Sequence, residues 1–301
     1  MKAVHFIIPA VAVLLSACLN ETDITVVVTP AEEETVTDAV YTITVRACKG
    51  EGGTKALDLV SGTPDHIDAY WKDTERVKVY KGGTLLGTLD VTPDTGEKPS
   101  RATLSGSLET AGLAASDVLT LMIPREDWDY SGQSGTLASI ENAFDYAAAT
   151  VTVSAVDDVN HTISTDGTAS FLNQQSIYRL GFKAEENYID PKSFSVNAAG
   201  GKLVQSISWN GSAWTPVYGS LDITPASAPG DHFYYVSIRN ESTSADTYGF
   251  VITGSDDALY LASKAIPNTV LDAPGKFISA KSITASKPDF SPAEGTTDTA
   301  L

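Results

Sequence analysis

The chain has 301 residues, 42% of them hydrophobic, so it can bury one large core or two of ordinary size. Its 38 acidic residues against 20 basic ones give a net charge of -18 at pH 7. A surface this anionic argues against nucleic-acid binding through phosphate contacts and against polybasic attraction to anionic lipids. Any membrane attachment must therefore be covalent or hydrophobic.

Residues 1–17 have the features of a lipoprotein signal peptide. Lys2 precedes an apolar run, residues 3–15, which is shorter than the roughly 20 residues that span a bilayer. The run leads into Leu-Ser-Ala-Cys, a tetrapeptide that ends at Cys18 and resembles a bacterial lipobox. We expect the mature chain to begin at Cys18 and to carry lipid on that thiol. An ordinary signal peptide followed by an incidental cysteine remains the alternative.

Most of the remaining chain alternates apolar and polar residues in short runs, as β-strands do. Examples are residues 40–45, 76–80 and 233–238, which are rich in β-branched and aromatic side chains. Clusters of Gly, Pro, Asn and Asp separate the runs at short intervals. Strands this frequent predict an all-β sandwich fold.

A polar, turn-rich stretch at residues 157–167 divides the strand-rich region in two. We expect residues 18–38 to form a tether, 39–160 an N-terminal β-sandwich and 168–286 a C-terminal β-sandwich. Residues 287–301 are polar and contain prolines, which predicts a disordered tail.

A tryptophan-containing hairpin is predicted around Asn210-Gly211, the strongest signal for a two-residue turn. In that register Trp209 lies opposite Ser212, and Ile207 lies opposite Trp214. Both tryptophan rings then share one face of the hairpin, diagonal to each other. They are either core residues, which Ile207 on the same face favours, or a platform on which a sugar could stack.

No catalytic or metal-binding pattern stands out. His66, His161 and His232 stand in different segments without zinc-ligand spacing, and the Gly-x-Ser-x-Gly nucleophile pattern is absent. Residues 126–130 mix carboxylates with aromatics, as a glycosidase cleft does, but neighbours in one run alternate between the faces of a strand. We therefore expect no enzyme activity and no cofactor, with a hydrolase kept as an alternative.

Four stretches, taken together with the lipobox, share their pattern with one family: residues 54–57, 70–80, 171–180 and 233–239. They resemble the fimbrillin family of surface lipoproteins from the Bacteroides group. The turn at residues 72–75 departs from the aspartate-rich turn of that family. The resemblance implies two tandem transthyretin-like, Greek-key β-sandwiches, display at the outer membrane surface, and a non-enzymatic role in fimbriae and cell adhesion.

In assembling members of that family, a trypsin-like protease cuts after an arginine in the first strand, and another subunit donates a strand to the vacated groove. The resemblance implies that Arg46, directly after residues 40–45, is this position. The alternative is that Arg46 is simply a charge on an edge strand and that the strand never leaves. Residues 276–283 are the expected donor strand, because Pro288 and Pro292 prevent the tail from completing a ladder. A tip or accessory subunit is therefore favoured over a stalk subunit.

The expected partners are the outer membrane through the lipid, other fimbrial subunits, and a receptor or glycan on a host or bacterial surface. The competing hypothesis is a glycan-binding surface lipoprotein of an outer-membrane polysaccharide uptake system. Its sugar platform would be Trp209, Trp214 or Trp128. The exposure of these rings separates the two hypotheses.

Overall fold

The computed structural model describes residues 39–49, 57–59, 67–110, 112–123, 128–209, 213–268, 275–279 and 282–288. Cys18 and the segments expected to form the signal peptide and the tether lie outside these residues, as does the expected tail beyond Pro288. The described chain is mostly β-strand, with a short helix at Leu137–Ser139 that continues into a π-helical turn, Ile140–Phe144. The prediction of an all-β, sandwich-like fold is confirmed. No helix among the described residues is both long and apolar enough to cross a membrane.

The strands are numbered β1 to β23 in chain order. Those up to residue 173 are β1 (Ala39–Lys49), β2 (Leu57–Leu59), β3 (Ile67–Ala69), β4 (Arg76–Lys81), β5 (Thr84–Pro93), β6 (Arg101–Thr110), β7 (Val118–Ile123), β8 (Trp128–Asp129), β9 (Ala147–Asp157), β10 (Thr162–Thr165) and β11 (Thr168–Asn173). Those that follow are β12 (Ser176–Leu180), β13 (Phe182–Ala184), β14 (Asn187–Ile189), β15 (Pro191–Ala198), β16 (Val204–Trp209), β17 (Trp214–Tyr218), β18 (Leu221–Ile223), β19 (Tyr234–Ile238), β20 (Asp246–Gly254), β21 (Leu259–Ile266), β22 (Phe277–Ser279) and β23 (Ile283–Ser286).

The first sheet has eight strands and closes on itself. Its order is β10-β1-β11-β9-β7-β4-β5-β6, and β1 also pairs with β6 at the other end of that order. Strand β1 is thus the closing strand, antiparallel to β6 on one side and parallel to β10 and β11 on the other. Because side chains alternate along each strand, one face of the closed sheet fills a core. The largest fully buried members of that core are Trp71, Leu89, Leu104, Leu108, Leu119 and Phe171.

The strands from β12 onward surround a second hydrophobic core. They form a seven-stranded sheet of order β14-β13-β23-β21-β20-β15-β18 and a three-stranded sheet of order β19-β12-β22, while β17 and β16 pair with β8. The second core is rich in aromatic residues, which include Tyr178, Phe182, Phe194, Tyr234, Tyr248 and Phe250.

The first and last strands of each group lie parallel to each other. In the first group β1 runs parallel to β10 and β11. In the second group β12 runs parallel to β22, and β13 to β23. Residues 277–279 and 283–286, within and just after the segment expected to be donated, therefore pair inside the sheets of their own chain.

The chain order does not divide cleanly between the two cores. Strand β11 pairs with β1 and β9 in the first sheet, although the boundary inferred from the sequence assigned residues from 168 onward to the second sandwich. Its apolar face explains this: the Phe171 ring is buried and meets the Trp71 ring edge-on at 5.3 Å. Conversely, β8 pairs with β16, and Trp128 belongs to the second core.

Two hairpins can be compared with the sequence: one that begins at the alternating run of residues 76–80, and the predicted tryptophan-containing hairpin. Strands β4 and β5 form the first one, with Lys81 opposite Thr84 and Gly82 at a φ of 60° in the turn. Strands β16 and β17 form the second, but Trp209 lies opposite Trp214 and Ile207 opposite Pro216. The prediction of a two-residue turn at Asn210-Gly211 was therefore wrong, because the four residues 210–213 connect the two strands.

Candidate functional site

Strand β1 presents its apolar side chains to the first core and its polar ones outward. Ile43, Val45 and Ala47 are 1–3% exposed, whereas Thr42 and Thr44 are exposed. The ladder to β6 runs from Ala39 opposite Thr110 to Cys48 opposite Arg101. Because both edges of β1 are paired, its removal would leave unpaired backbone groups on both sides of an apolar groove.

Arg46 lies within β1, not after its end. It is opposite Thr103 of β6 and Thr168 of β11, because the strand continues to Lys49. Its guanidinium donates from Nη1 to Asp94 Oδ1 at 3.1 Å and from Nη2 to Asp94 Oδ2 at 2.8 Å, and Nη1 also donates to Thr103 Oγ1 at 2.6 Å. This bidentate bond holds the pKa of Asp94 below its usual value.

The side chain of Arg46 is accessible, but the peptide bond that follows it belongs to a strand with partners on both edges. Nearly half of that side chain is exposed. A protease needs an extended, unpaired stretch of backbone around the bond it cuts, so β1 would have to open locally before cleavage. Residues 50–56, which follow β1, lie outside the described residues.

The last residue of β1, Lys49, is held by a buried ion pair that the sequence reasoning missed. Its ammonium lies 3.1 Å from both carboxylate oxygens of Glu75, and the two side chains are 0% and 3% exposed. Lys49 Nζ also donates to the Tyr70 carbonyl oxygen at 2.5 Å and lies 4.3 Å from the centroid of the Trp71 ring. Glu75 accepts a further hydrogen bond from the backbone N–H of Lys72 at 2.7 Å.

The tryptophans proposed as a sugar platform lie in an aromatic cluster. Trp128 is 6% exposed, and its ring stacks on Trp214 at 6.1 Å and on Tyr146 at 5.8 Å. Trp214 is partly exposed and also meets Tyr80 edge-on at 6.1 Å. Trp209 lies opposite Trp214 in the backbone register, while its side chain is outside the described residues. The stacked partners of Trp128 leave that ring no open face for a sugar.

The two described histidines of the predicted mature chain, His161 and His232, contact different residues. His232 Nδ1 lies 2.7 Å from Asp190 Oδ1, but no hydroxyl or thiol of a described residue hydrogen-bonds to the other ring nitrogen. His161 meets the Tyr41 ring edge-on at 5.4 Å, and His66 lies outside the described residues. Within the described parts of the chain, no group of three His, Cys, Asp or Glu side chains is arranged to hold a metal ion.

No protein-family model matches the chain, and no curated protein matches it. Among solved structures it is similar to a candidate cell adhesion protein from Bacteroides ovatus, at 12% identity and a TM-score of 0.40, over 83% of this chain and 97% of that one. It is also similar to a fimbrial assembly protein from Parabacteroides distasonis, at 10% identity and a TM-score of 0.34, over 80% of this chain and 89% of that one.

A third similar structure is the tip fimbrial protein Mfa3 from Porphyromonas gingivalis, at 9% identity and a TM-score of 0.32, over 75% of this chain and 81% of that one. Likenesses at this level carry no argument about function.

Proposed function

We propose that the chain is a non-enzymatic surface lipoprotein that serves in cell adhesion as a tip or accessory subunit of a fimbria. In this proposal Cys18 carries the lipid that holds the chain at the outer membrane. The part of β1 up to Arg46 is released by cleavage after Arg46, and a strand from another subunit takes its place. The observation that carries the proposal is the position of β1 as the closing strand of the first sheet.

The groove under β1 has the properties that a donated strand requires. Ile43 and Val45 alone contribute about 1.5–3 kcal/mol each by burial, and their removal would expose that apolar surface. The parallel partner β10, opposite Thr42 and Ile43, and the antiparallel partner β6 would offer main-chain hydrogen bonds on both edges of the vacated groove, whereas β11 pairs mainly with the part of β1 that stays. Strand addition draws its affinity from these bonds and its specificity from pockets for alternate side chains.

The position of Arg46 divides β1 into a part that can leave and a part that stays. A cut after Arg46 releases the residues before Ala47, including the buried Ile43 and Val45. Lys49 remains joined to the body, and its ion pair with Glu75 stays intact. Cleavage therefore does not leave the buried carboxylate of Glu75 without its partner, which would cost several kcal/mol.

The proposal is tested by limited trypsin digestion of the folded protein, with cleavage sites read by mass spectrometry and mass in solution by light scattering. We expect a fragment that begins at Ala47, stays folded, and binds a synthetic peptide of residues 39–46 or self-associates. Arg46→Gln should abolish that fragment, whereas Arg46→Lys, which keeps a trypsin site, should preserve it.

Two results would contradict strand exchange. In the first, trypsin cuts other lysines and arginines of the folded chain while the bond after Arg46 stays intact. In the second, the fragment that begins at Ala47 remains a monomer and does not bind the peptide. After either result, the adhesion proposal would have to rest on the intact protein, without strand exchange.

A further inference from the structure

A cavity of about 630 Å³ opens at one end of the seven-stranded sheet. The β13–β14 hairpin, the turn between β20 and β21, and the end of β23 line it. The chain passes from β14 to β15 through Asp190, whose carbonyl oxygen accepts a hydrogen bond from the N–H of Ser255 at 2.9 Å. This bond fixes the two walls to each other, and the volume falls within the range of about 300–1,000 Å³ typical of small-molecule sites.

An exposed aromatic ring forms part of the cavity wall. Tyr188 is 37% exposed, although large aromatic side chains are usually more buried. The His232 ring stacks on it at 4.8 Å with an interplanar angle of 10°, and the ammonium of Lys183 lies 4.5 Å from its centroid. The ring is thus held in one position before any ligand arrives, which lowers the entropic cost of binding.

Two carboxylates of the cavity are also held in position. Asp190 Oδ1 lies 2.7 Å from His232 Nδ1. Asp256 accepts from the backbone N–H of Ala258 at 3.1 Å and from the Tyr260 hydroxyl at 3.0 Å, and these two bonds lower the pKa of Asp256. Each carboxylate has lone pairs left for a ligand, since an ionised carboxylate offers about four acceptor positions.

The lining as a whole favours a neutral ligand rich in hydroxyl groups. Glu185 and Asn187 add further acceptors, and Lys287 is the cation among the lining residues, 3.9 Å from Asp256. An anionic ligand would be repelled by these carboxylates and by the net charge of -18. A metal ion fits poorly, because no three ligating side chains of the described residues converge.

We propose that this cavity binds a neutral saccharide. Its hydroxyl groups would donate hydrogen bonds to Asp190 and Asp256, and its ring would contact the part of the Tyr188 ring that His232 and Lys183 leave exposed. The inference goes beyond the proposed function and does not depend on strand exchange, because the cavity lies in the second group of strands and involves no residue of β1. The two proposals can therefore fail separately.

The test is binding of the purified full-length chain to a glycan array that carries neutral and acidic oligosaccharides side by side. The strongest soluble neutral sugar is then titrated by calorimetry. We expect neutral sugars to bind and sialylated or uronic-acid-containing ones to be excluded. Asp190→Asn and Tyr188→Ala should each weaken binding about tenfold or more, through a lost charged acceptor and a lost ring contact respectively.

Two variants serve as matched controls. Tyr218→Ala removes a tyrosine of nearly equal exposure, 38% against 37% for Tyr188, that does not line the cavity. Asp257→Asn neutralises the carboxylate next to Asp256, which pairs with Lys192 instead. Both should bind like the wild type, and unchanged melting temperatures confirm that all variants fold.

Several outcomes would overturn the proposal. One is an array on which no neutral sugar binds, or on which acidic sugars bind equally well. Another is a pair of cavity variants, folded by their melting temperatures, with wild-type affinity. A third is binding of 1,5-diaminopentane by a chain that binds no neutral sugar, which would assign the acidic cavity to basic peptides instead of saccharides.

Discussion

The ion pair between Lys49 and Glu75 stabilises the end of β1. Both side chains are almost fully buried, so the pair is bound by strong attraction but has also lost its hydration. The Tyr70 carbonyl and the Lys72 N–H satisfy further hydrogen-bonding groups of the pair. By contrast, the Arg46–Asp94 pair is exposed on both sides, so solvent screens it and it adds little to stability.

Glu75→Gln should therefore destabilise the protein by about 3–5 kcal/mol, because it leaves the Lys49 ammonium buried without a counter-charge. The double variant Lys49→Met/Glu75→Met should recover much of that loss, since two apolar side chains replace both charges. Urea unfolding measures the difference. Asp73→Asn, an exposed change in the same turn, is the control and should be close to neutral. A small effect of Glu75→Gln would mean that water reaches the pair.

Residue positions were predicted unevenly from the sequence. Alternation places Arg46 on the outward face of β1 correctly, because that property depends only on the period of the strand. The partnership of Lys49 with Glu75 joins residues 26 positions apart, and no local pattern marks it. The burial of Trp128 also escapes local reasoning, since it depends on pairing between β8 and the distant β16.

At the scale of elements, two glycines allow β5 to approach closely to β6, the strand that pairs with β1. Gly87 of β5 lies opposite Leu108, and Gly106 of β6 lies opposite Leu89. A Cβ at Gly87 would lie 2.3 Å from the Ser107 carbonyl oxygen, and one at Gly106 would lie 2.8 Å from the Thr88 carbonyl oxygen. Both obstacles are backbone atoms, which cannot move aside without disturbing the ladder.

Gly87→Ala is therefore expected to destabilise the protein by about 1–3 kcal/mol through overpacking. Gly230→Ala is the control, because a Cβ there meets no atom within 4 Å and the residue has no left-handed backbone. It should be neutral or slightly stabilising. Thermal melts of the two variants check this expectation, and equal melting temperatures would show that β5 and β6 can separate at no cost.

Elements were predicted where their signal was local. The β4–β5 hairpin follows from alternation and a Gly-Gly turn, and both are properties of adjacent residues. The β16–β17 hairpin failed in register, because the stacking of Trp214 on Trp128 and its pairing with Trp209 outweigh the preference of Asn-Gly for a two-residue turn. The identity of β11 as a strand of the first sheet depends on parallel pairing with β1, which leaves no trace in chain order.

At the scale of the whole molecule, the expected attachment through Cys18 makes a direct prediction. Cys18→Ala should abolish labelling by a palmitate analogue and either release the protein into the medium or block its processing. Stable anchoring requires at least two acyl chains, and Cys18→Ala removes the site that would carry them. The anionic surface of the protein has no attraction to anionic lipids that could replace them. Cys48→Ala is the matched control and should keep the label. A wild-type chain that takes up no label would contradict the prediction.

Strand β1 also determines how the first sheet would carry a mechanical load. Its ladder to β6 extends over almost its whole length, from Ala39 to Cys48. A pull at Ala39 along the strand axis would load these hydrogen bonds in shear, all at the same time, instead of breaking them one after another. The buried ion pair between Lys49 and Glu75 would hold the far end of the strand in place. A cut after Arg46 would separate most of the β1–β6 ladder from this ion pair. The peptide bond between Arg46 and Ala47 would therefore determine both whether the strand can exchange and how firmly the chain resists being pulled from a surface.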